Sequence, residues 1–132
     1  MLKVDKNTKI NPKEFFSKDL VENFSKHINN SVPKYKEFCD GIVNFSEYFI
    51  TDDSIIYDLG CSHGNLLIDI HKKKKFKKNV KYYGLDNSID MCKKAKKNTK
   101  NYKNIIIQKK NKLNLINQKD TEKFIIKNKP DF

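Results

Sequence analysis

The fold can be predicted from one segment, Tyr57-Asp58-Leu59-Gly60-Cys61-Ser62-His63-Gly64-Asn65. It ends the apolar run 54–59, which is typical of a buried strand that stops at Gly60. A glycine directly after a buried strand lets the backbone turn sharply and leaves space for a ligand. Gly64 opens the following helix, whose free N–H groups favour a polar or anionic ligand group. The alternative is an ordinary strand-to-helix turn without a ligand.

The spacing of these two glycines disfavours two common nucleotide sites. The dinucleotide-binding fingerprint is G-x-G-x-x-G, whereas this segment is G-x-x-x-G. It also lacks the G-K-[ST] sequence of a P-loop, which disfavours hydrolysis of a nucleoside triphosphate. The glycine turn alone therefore indicates a ligand only weakly.

A carboxylate after the next apolar run strengthens the prediction of a ligand. The run 80–85 is a second predicted strand, and Asp86 follows it directly. In doubly wound sheets an acid at this tip faces the ligand crevice, where it can accept hydrogen bonds from both ribose hydroxyls. A helix N-terminal acid, stabilised by the helix dipole, is the alternative role for Asp86. Together with the glycine turn, the ribose-binding role is favoured.

The order of the predicted elements indicates an α/β domain. Helical periodicity begins near Ser17 and resumes at Tyr35, where Phe38, Phe45 and Phe49 share one apolar stripe. Helices are predicted over 65–74 and 88–97, with Asn87 or Ser88 as the N-cap of the latter. A third strand is predicted over 104–108, followed by a weak helical pattern around 122–127. This order predicts a Rossmann-like parallel sheet with N-terminal helices and strands 1 to 3, truncated near strand 4.

Length and composition indicate one globular domain. The chain has 132 residues, of which 37% are hydrophobic and 33% charged. We expect a flexible N-terminal segment over 1–16 and a partial ligand-binding domain over 17–132. No apolar run approaches the roughly 20 residues that span a bilayer, and the N-terminus has no signal-peptide core. Cys39, Cys61 and Cys92 lie far apart, which predicts no metal site and a cytoplasmic protein.

The net charge of +12 permits contact with nucleic acid. All 28 basic residues are lysine, and the absence of arginine disfavours bidentate reading of bases or phosphates. Lysine as surface filler is therefore one explanation, and a functional basic face is the other. If the face is functional, the clusters Lys72–Lys75 and Lys93–Lys97 predict weak, salt-sensitive RNA association.

The motifs resemble those of a known enzyme superfamily. The sequences D-L-G-C-S-x-G at 58–64 and G-L-D-N-S at 84–88 resemble class I S-adenosylmethionine-dependent methyltransferases. With V-E-N-F at 21–24 and S-V-P-K-Y at 31–35, the succession is similar to the carboxy-S-adenosylmethionine synthase family. That resemblance implies conversion of S-adenosylmethionine and prephenate into carboxy-S-adenosylmethionine and phenylpyruvate, for 5-oxyacetyl-uridine formation at the tRNA wobble position.

The resemblance also implies which residues bind S-adenosylmethionine or its carboxy derivative. The tyrosine of S-V-P-K-Y matches a position near the methionine end, and the glycine loop matches the segment around the methionine moiety. The end of strand 2 matches the ribose and adenine side. The implied ligand-binding residues are Tyr35, Gly60, Cys61, Ser62, Asp86 and Asn87. Cys61 has no base partner in the motif and is expected to be a packed residue rather than a nucleophile. His63 is expected to be exposed.

Two departures from the family pattern limit the functional prediction. The segment 108–111 carries no carboxylate where the family has an acid that helps hold adenine. The chain also stops at Phe132, where strand 4 would begin, so the apolar strand at 55–59 is expected to be an unprotected edge. We therefore expect an incomplete methyltransferase-like protein that forms a homodimer or larger species. The alternatives are a non-catalytic module that binds S-adenosylmethionine or RNA, and a nicotinamide-binding enzyme, which the missing third glycine disfavours.

Overall fold

The computed structural model describes residues 18–73, 77–109 and 117–131. The predicted segment 1–16, together with Lys74, Lys75 and 110–116, lies outside these ranges. The elements follow the predicted order. They are α1 (Lys18–Ser31), α2 (Tyr35–Phe45), a short 3-10 helix (Ser46–Tyr48), β1 (Ile55–Leu59), α3 (Asn65–Lys73), β2 (Lys81–Asp86), α4 (Ile89–Thr99), β3 (Ile105–Lys109) and α5 (Gln118–Asn128).

The three strands form the predicted parallel sheet. Their order is β1-β2-β3, and the register aligns Asp58 with Gly84 and Gly84 with Ile107. Parallel pairing brings the C-terminal ends of all three strands to the same side of the domain, so their following loops are neighbours. The α/β fold predicted from the alternation of elements is confirmed.

Strand β1 lies at the edge of the sheet formed by the described residues, as predicted. Asp131 contacts this edge at Ile55, the first residue of β1. The backbone N–H of Asp131 donates to the carbonyl oxygen of Ile55 at 2.9 Å. In return, the N–H of Ile55 donates to the Asp131 carboxylate at 2.8 Å. Asp131 therefore satisfies the backbone groups of Ile55 on the side away from β2.

Helices cover both faces of the sheet. On one face, the core includes Leu67 of α3, Ala95 of α4 and the fully buried Tyr82. On the other face, Phe124 of α5 packs against Leu85, with the half-buried rings of the Tyr57 and Tyr83 pair beside it. Those two rings stack at a centroid distance of 5.0 Å. The sheet is therefore held by apolar burial on both sides.

The apolar stripe of α2 divides between interior and surface. Ile42 packs against the core, whereas Phe38 and Phe45 remain exposed. The helix also ends earlier than its apolar pattern suggests. The buried Ser46 side chain donates to the carbonyl oxygen of Val43 at 2.6 Å, and the chain tightens there into the 3-10 helix.

Candidate ligand-binding site

The loop between β1 and α3 is fixed by backbone hydrogen bonds. The N–H groups of Gly60 and Cys61 both donate to the carbonyl oxygen of Leu85, at 2.8 and 3.0 Å. Three residues of the loop have positive φ: Gly60 at 90°, Ser62 at 49° and Gly64 at 79°. Glycine adopts such angles without steric cost, so the two glycines of the motif make this turn possible.

The two glycines serve different purposes. A Cβ on Gly64 would lie 3.3 Å from a Thr99 methyl group and 3.4 Å from the Cβ of Ala95. Gly64 therefore lets α4 pack closely on the loop. A Cβ on Gly60 would meet no atom within 4 Å, so its backbone angle is what requires glycine there.

Asp86 connects the loop to the start of α4. One carboxylate oxygen accepts from the N–H of Ser62 at 2.9 Å, and the other accepts from the N–H of Ser88 at 2.8 Å. Ser88 in turn caps α4, because its hydroxyl accepts from the N–H of Met91 at 3.3 Å. Ser88 is thus the N-cap, one of the two residues predicted for that role.

Beside this loop lies a cavity of about 290 Å³, bounded by α1, α2 and the start of α3. Four of the six predicted ligand-binding residues line it: Tyr35, Gly60, Cys61 and Ser62. Asp86 is not among the lining residues. Its carboxylate accepts a hydrogen bond from the backbone of Ser62, which does line the cavity. Asn87 is exposed and also lies outside the lining. The structure therefore brings the predicted methionine-side residues together in one cavity.

Three carboxylates that the sequence reasoning did not select also line the cavity: Asp40, Asp58 and Asp69. Burial raises the pKa of Asp58 to about 6, and the nearby charge of Asp86 contributes. Asp58 stands two residues before Gly60, so its place in the quoted motif could have identified it. Asp40 and Asp69 come from α2 and α3, whose packing the motif does not encode. The cavity lining is therefore rich in carboxylates.

Tyr35 is a neutral hydrogen-bonding group at the edge of this cavity. Burial raises the pKa of its phenol to about 12, as do a hydrogen bond with Cys39 and the charge of Asp58. The hydroxyl therefore keeps its proton at physiological pH. Lys36, the next residue of α2, adds one cationic side chain to the lining.

Cys61 is a packed residue, in agreement with the sequence analysis. It is buried, and burial followed by the charges of Asp58 and Asp86 raises the pKa of its thiol. Its sulfur would lie 2.8 Å from a Cβ placed on Gly84, so it fills the space above that glycine. A buried thiol with a raised pKa is a poor nucleophile.

The prediction that His63 is exposed is wrong. Its side chain is 8% exposed, because α1 crosses above it. The Ser25 hydroxyl lies 2.9 Å from its Nε2, and the Phe24 ring packs edge-on at 5.3 Å. Burial lowers the pKa of His63, and the charge of Lys94 adds to that effect. His63 is therefore a neutral link between α1 and the loop.

Neither a cluster of metal ligands nor a membrane-spanning helix is present among the described residues. Within 18–73, 77–109 and 117–131, no group of three or more His, Cys, Asp or Glu could hold a metal ion. Across the same ranges, none of the helices has the length and apolarity that a bilayer crossing requires. The segment 108–111, where a family acid is missing, falls partly outside the described residues.

Comparison with known proteins relates the chain to a family. The sequence profile of a methyltransferase domain family matches residues 50–129. The carboxy-S-adenosyl-L-methionine synthase of Colwellia psychrerythraea is 47% identical over 81 residues, which is 61% of this chain and 33% of that protein. The synthase of Histophilus somni is 34% identical over 91 residues, covering 69% of this chain and 37% of that protein. The chain thus spans about a third of the length of these curated relatives.

A solved structure supports the fold. The SAM dependent methyltransferase from Aquifex aeolicus superposes with a TM-score of 0.55 at 18% identity, over 74% of this chain and 49% of that one. Because the family profile covers residues 50–129, more than half of the sequence, the chain belongs to the methyltransferase domain family.

Proposed function

We propose that the cavity beside the glycine loop binds S-adenosylmethionine or its carboxy derivative. The observation that carries the proposal is the acidic lining: Asp40, Asp58 and Asp69 surround a space of about 290 Å³. Both ligands carry a sulfonium and an ammonium group at their methionine end. Carboxylates in a partly desolvated cavity attract such cations more strongly than they would in bulk water.

Individual residues fit the remaining groups of the ligand. The Tyr35 phenol, the Lys36 ammonium and the N–H groups at the start of α3 are donors suited to the methionine carboxylate. Each Asp86 oxygen accepts one backbone N–H and keeps a lone pair for a ribose hydroxyl. Asn87, exposed beside Asp86, is the proposed contact on the adenine side. Gly60, Cys61 and Ser62 form the floor under the methionine moiety.

For the whole protein, the proposed function is taken from the name of its relatives. We propose a cytoplasmic role related to carboxy-S-adenosyl-L-methionine synthase, with residues 17–132 as part of a ligand-binding domain. The part played in tRNA wobble-uridine modification rests on the family resemblance alone. For the chain itself the proposal is ligand binding without turnover of prephenate. A non-catalytic S-adenosylmethionine-binding module is the alternative for the whole protein.

Weak RNA association is a second candidate function. The observation that favours it is an open cleft of about 230 Å³ between α1 and α4, lined by Lys93, Lys94 and Lys97. Asp90 and Glu22 share the cleft, and Asp90 pairs with Lys93 at 3.1 Å. The lysines can contact phosphates without base readout, which predicts a strong dependence on salt. We also propose self-association, with the β1 edge as one candidate surface.

Isothermal titration calorimetry tests the proposed ligand. The purified chain is titrated with S-adenosylmethionine, carboxy-S-adenosylmethionine and NAD under one buffer condition. We expect saturable binding of at least one sulfonium ligand and none of NAD. Absence of binding for both sulfonium ligands, or tighter binding of NAD, would overturn the proposal.

A further inference from the structure

Helix α1 contributes two side chains to the cavity beside the glycine loop. Ser25 and Asn29 line this cavity together with His63 of the loop. The two α1 residues are four positions apart, which places them on the same side of the helix. We call Ser25 and Asn29 the roof of the cavity. The roof carries neutral polar groups, whereas the three cavity carboxylates come from α2, β1 and α3.

The roof belongs to a helix that has little apolar contact with the rest of the domain. Over residues 21–31, Val21 is buried, Phe24 and Ile28 are half-buried, and the other side chains are exposed. Val21 borders the cleft beside α4, so it anchors the N-terminal part of the helix. A helix of 14 residues with so few buried side chains is marginally stable by itself, and it opens locally at a lower free energy than global unfolding requires. The position of the roof therefore depends on individual contacts.

His63 makes the contact that holds the roof in place. Its Nε2 lies 2.9 Å from the Ser25 hydroxyl, and the Phe24 ring packs edge-on against the imidazole at 5.3 Å. The imidazole is buried, and its Nδ1 has no hydrogen-bond partner among the residues that the structure describes. The loop in turn holds His63, because the Asn98 amide donates to the His63 carbonyl oxygen at 2.9 Å. A fixed histidine thus meets a weakly held helix at Ser25.

We propose that His63 is a positioning residue for the roof, and that docking of α1 and binding of the cavity ligand stabilise each other. The inference rests on the proposed function, since the ligand is the sulfonium compound assigned to this cavity. The Asn29 side-chain amide donates to the carbonyl oxygen of Ser25 at 2.7 Å, which leaves its oxygen as an acceptor for the ligand's ammonium group. A ligand that binds better when α1 is docked shifts the helix toward the docked state by its difference in affinity.

A purely structural role for His63 is the alternative, and it predicts a different distribution of effects. A residue that stabilises the whole domain would, when replaced, speed hydrogen exchange in the sheet as well as in α1. A positioning residue acts locally, because its side-chain contacts are with Ser25 and Phe24 of α1. Exchange of the β2 amides therefore separates the two roles.

Hydrogen exchange of the full chain, with and without saturating S-adenosylmethionine, tests the proposal. In the wild type, the ligand should slow exchange of the amides of residues 21–31 at least about fivefold. His63→Ala should speed exchange of these amides in the free protein and leave those of β2 unchanged. Calorimetry should give an affinity of His63→Ala for S-adenosylmethionine that is at least about fivefold weaker. His63→Gln, whose amide can still reach Ser25, should restore most of the affinity.

Three further variants complete the experiment. Ser25→Ala removes the same hydrogen bond from the α1 side, so the test does not depend on the folding of His63→Ala. The two substitutions together should cost little more affinity than either alone. Asn29→Ala should weaken affinity without speeding exchange of α1 in the free protein, since alanine favours the helix. His27→Ala, which removes an exposed histidine of α1 outside the cavity lining, is the matched control with unchanged affinity.

Four outcomes would overturn the proposal. Wild-type affinity in folded His63→Ala, or α1 exchange that bound ligand does not slow, would exclude the coupling and leave the proposed ligand intact. Faster exchange of β2 together with α1 in His63→Ala would assign a structural role to the histidine. A His63→Gln variant that binds as weakly as His63→Ala would exclude positioning through Ser25. Absence of binding of both sulfonium ligands by the wild type would overturn the proposed function itself, and the coupling with it.

Discussion

Asp86 holds the backbone N–H of Ser62 at 2.9 Å, and this bond joins the tip of β2 to the loop after β1. The same carboxylate accepts from Ser88 at the start of α4. One acidic side chain thus fixes the glycine loop relative to the tip of β2 and the start of α4. Asp86 therefore has a structural role in addition to the proposed contact with ribose.

Asp86→Ala should lower both stability and ligand affinity. Each charge-assisted hydrogen bond is worth about 1.5–3 kcal/mol, so the free energy of unfolding should fall by at least about 2 kcal/mol. Urea denaturation measures that fall, and calorimetry on the folded fraction measures the dissociation constant for S-adenosylmethionine. Asp86→Asn is the matched variant, since it keeps one acceptor and should lose less stability. Unchanged ligand affinity in folded Asp86→Ala would contradict the proposed contact between Asp86 and the ribose.

Because of Asp58, the free energy of unfolding of the ligand-free protein should fall as the pH rises. Its pKa is raised from 3.8 to about 6, so the folded state keeps this proton in a range where the unfolded state has lost it. Stability from the protonated group is therefore present below about pH 4 and is lost as the pH rises through 6. Asp58→Asn should raise the free energy of unfolding by about 1–3 kcal/mol at neutral pH, with little gain near pH 4. A variant that is less stable than the wild type at neutral pH would contradict the assigned cause.

Gly60→Ala should destabilise the loop through its backbone angle. A φ of 90° is rarely adopted by residues with a Cβ, and the expected cost is about 1–2 kcal/mol. Gly60→Asn should cost less, because asparagine tolerates positive φ better than alanine does. Thermal unfolding of both variants measures the difference. Equal stability of Gly60→Ala and wild type would mean that the loop can relax.

RNA affinity should depend on the α4 lysines and on salt. Replacing Lys93, Lys94 and Lys97 with glutamine should weaken binding to unstructured RNA uniformly across sequences. The slope of log affinity against log salt should become shallower as phosphate contacts are lost. Fluorescence anisotropy at several salt concentrations measures both quantities. Wild-type binding that persists with little loss at high salt would contradict the electrostatic explanation.

The order of elements could be predicted from sequence because the signals are local. The apolar run before Gly60, the one before Asp86 and the serine that caps α4 each act within a few residues of the element that they define. The parallel sheet then follows from the alternation of strands and helices. Tyr35, Gly60, Cys61 and Ser62, which the family resemblance implied, line one cavity.

The features that could not be predicted from the sequence depend on packing between distant segments of the chain. His63 is buried because Phe24 and Ser25 of α1 pack on it, and nothing near His63 in the sequence encodes that crossing. Phe38 and Phe45 share a helical stripe with Ile42, so periodicity alone does not tell which of them turn inward. The raised pKa of Asp58 likewise reflects its burial and the approach of Asp86 from the next strand.

The affinity of Asp58→Asn for S-adenosylmethionine, compared with that of the wild type near about pH 7.5, tests the central claim most directly. The substitution removes a negative charge from the cavity while nearly preserving the shape of the side chain. Calorimetry should give at least a tenfold weaker dissociation constant for Asp58→Asn. Asp90→Asn, which removes an acid of α4 outside the cavity, should leave the affinity unchanged. Equal affinities of Asp58→Asn and wild type, or no binding by the wild type, would contradict the account of an acidic cavity that holds a sulfonium ligand.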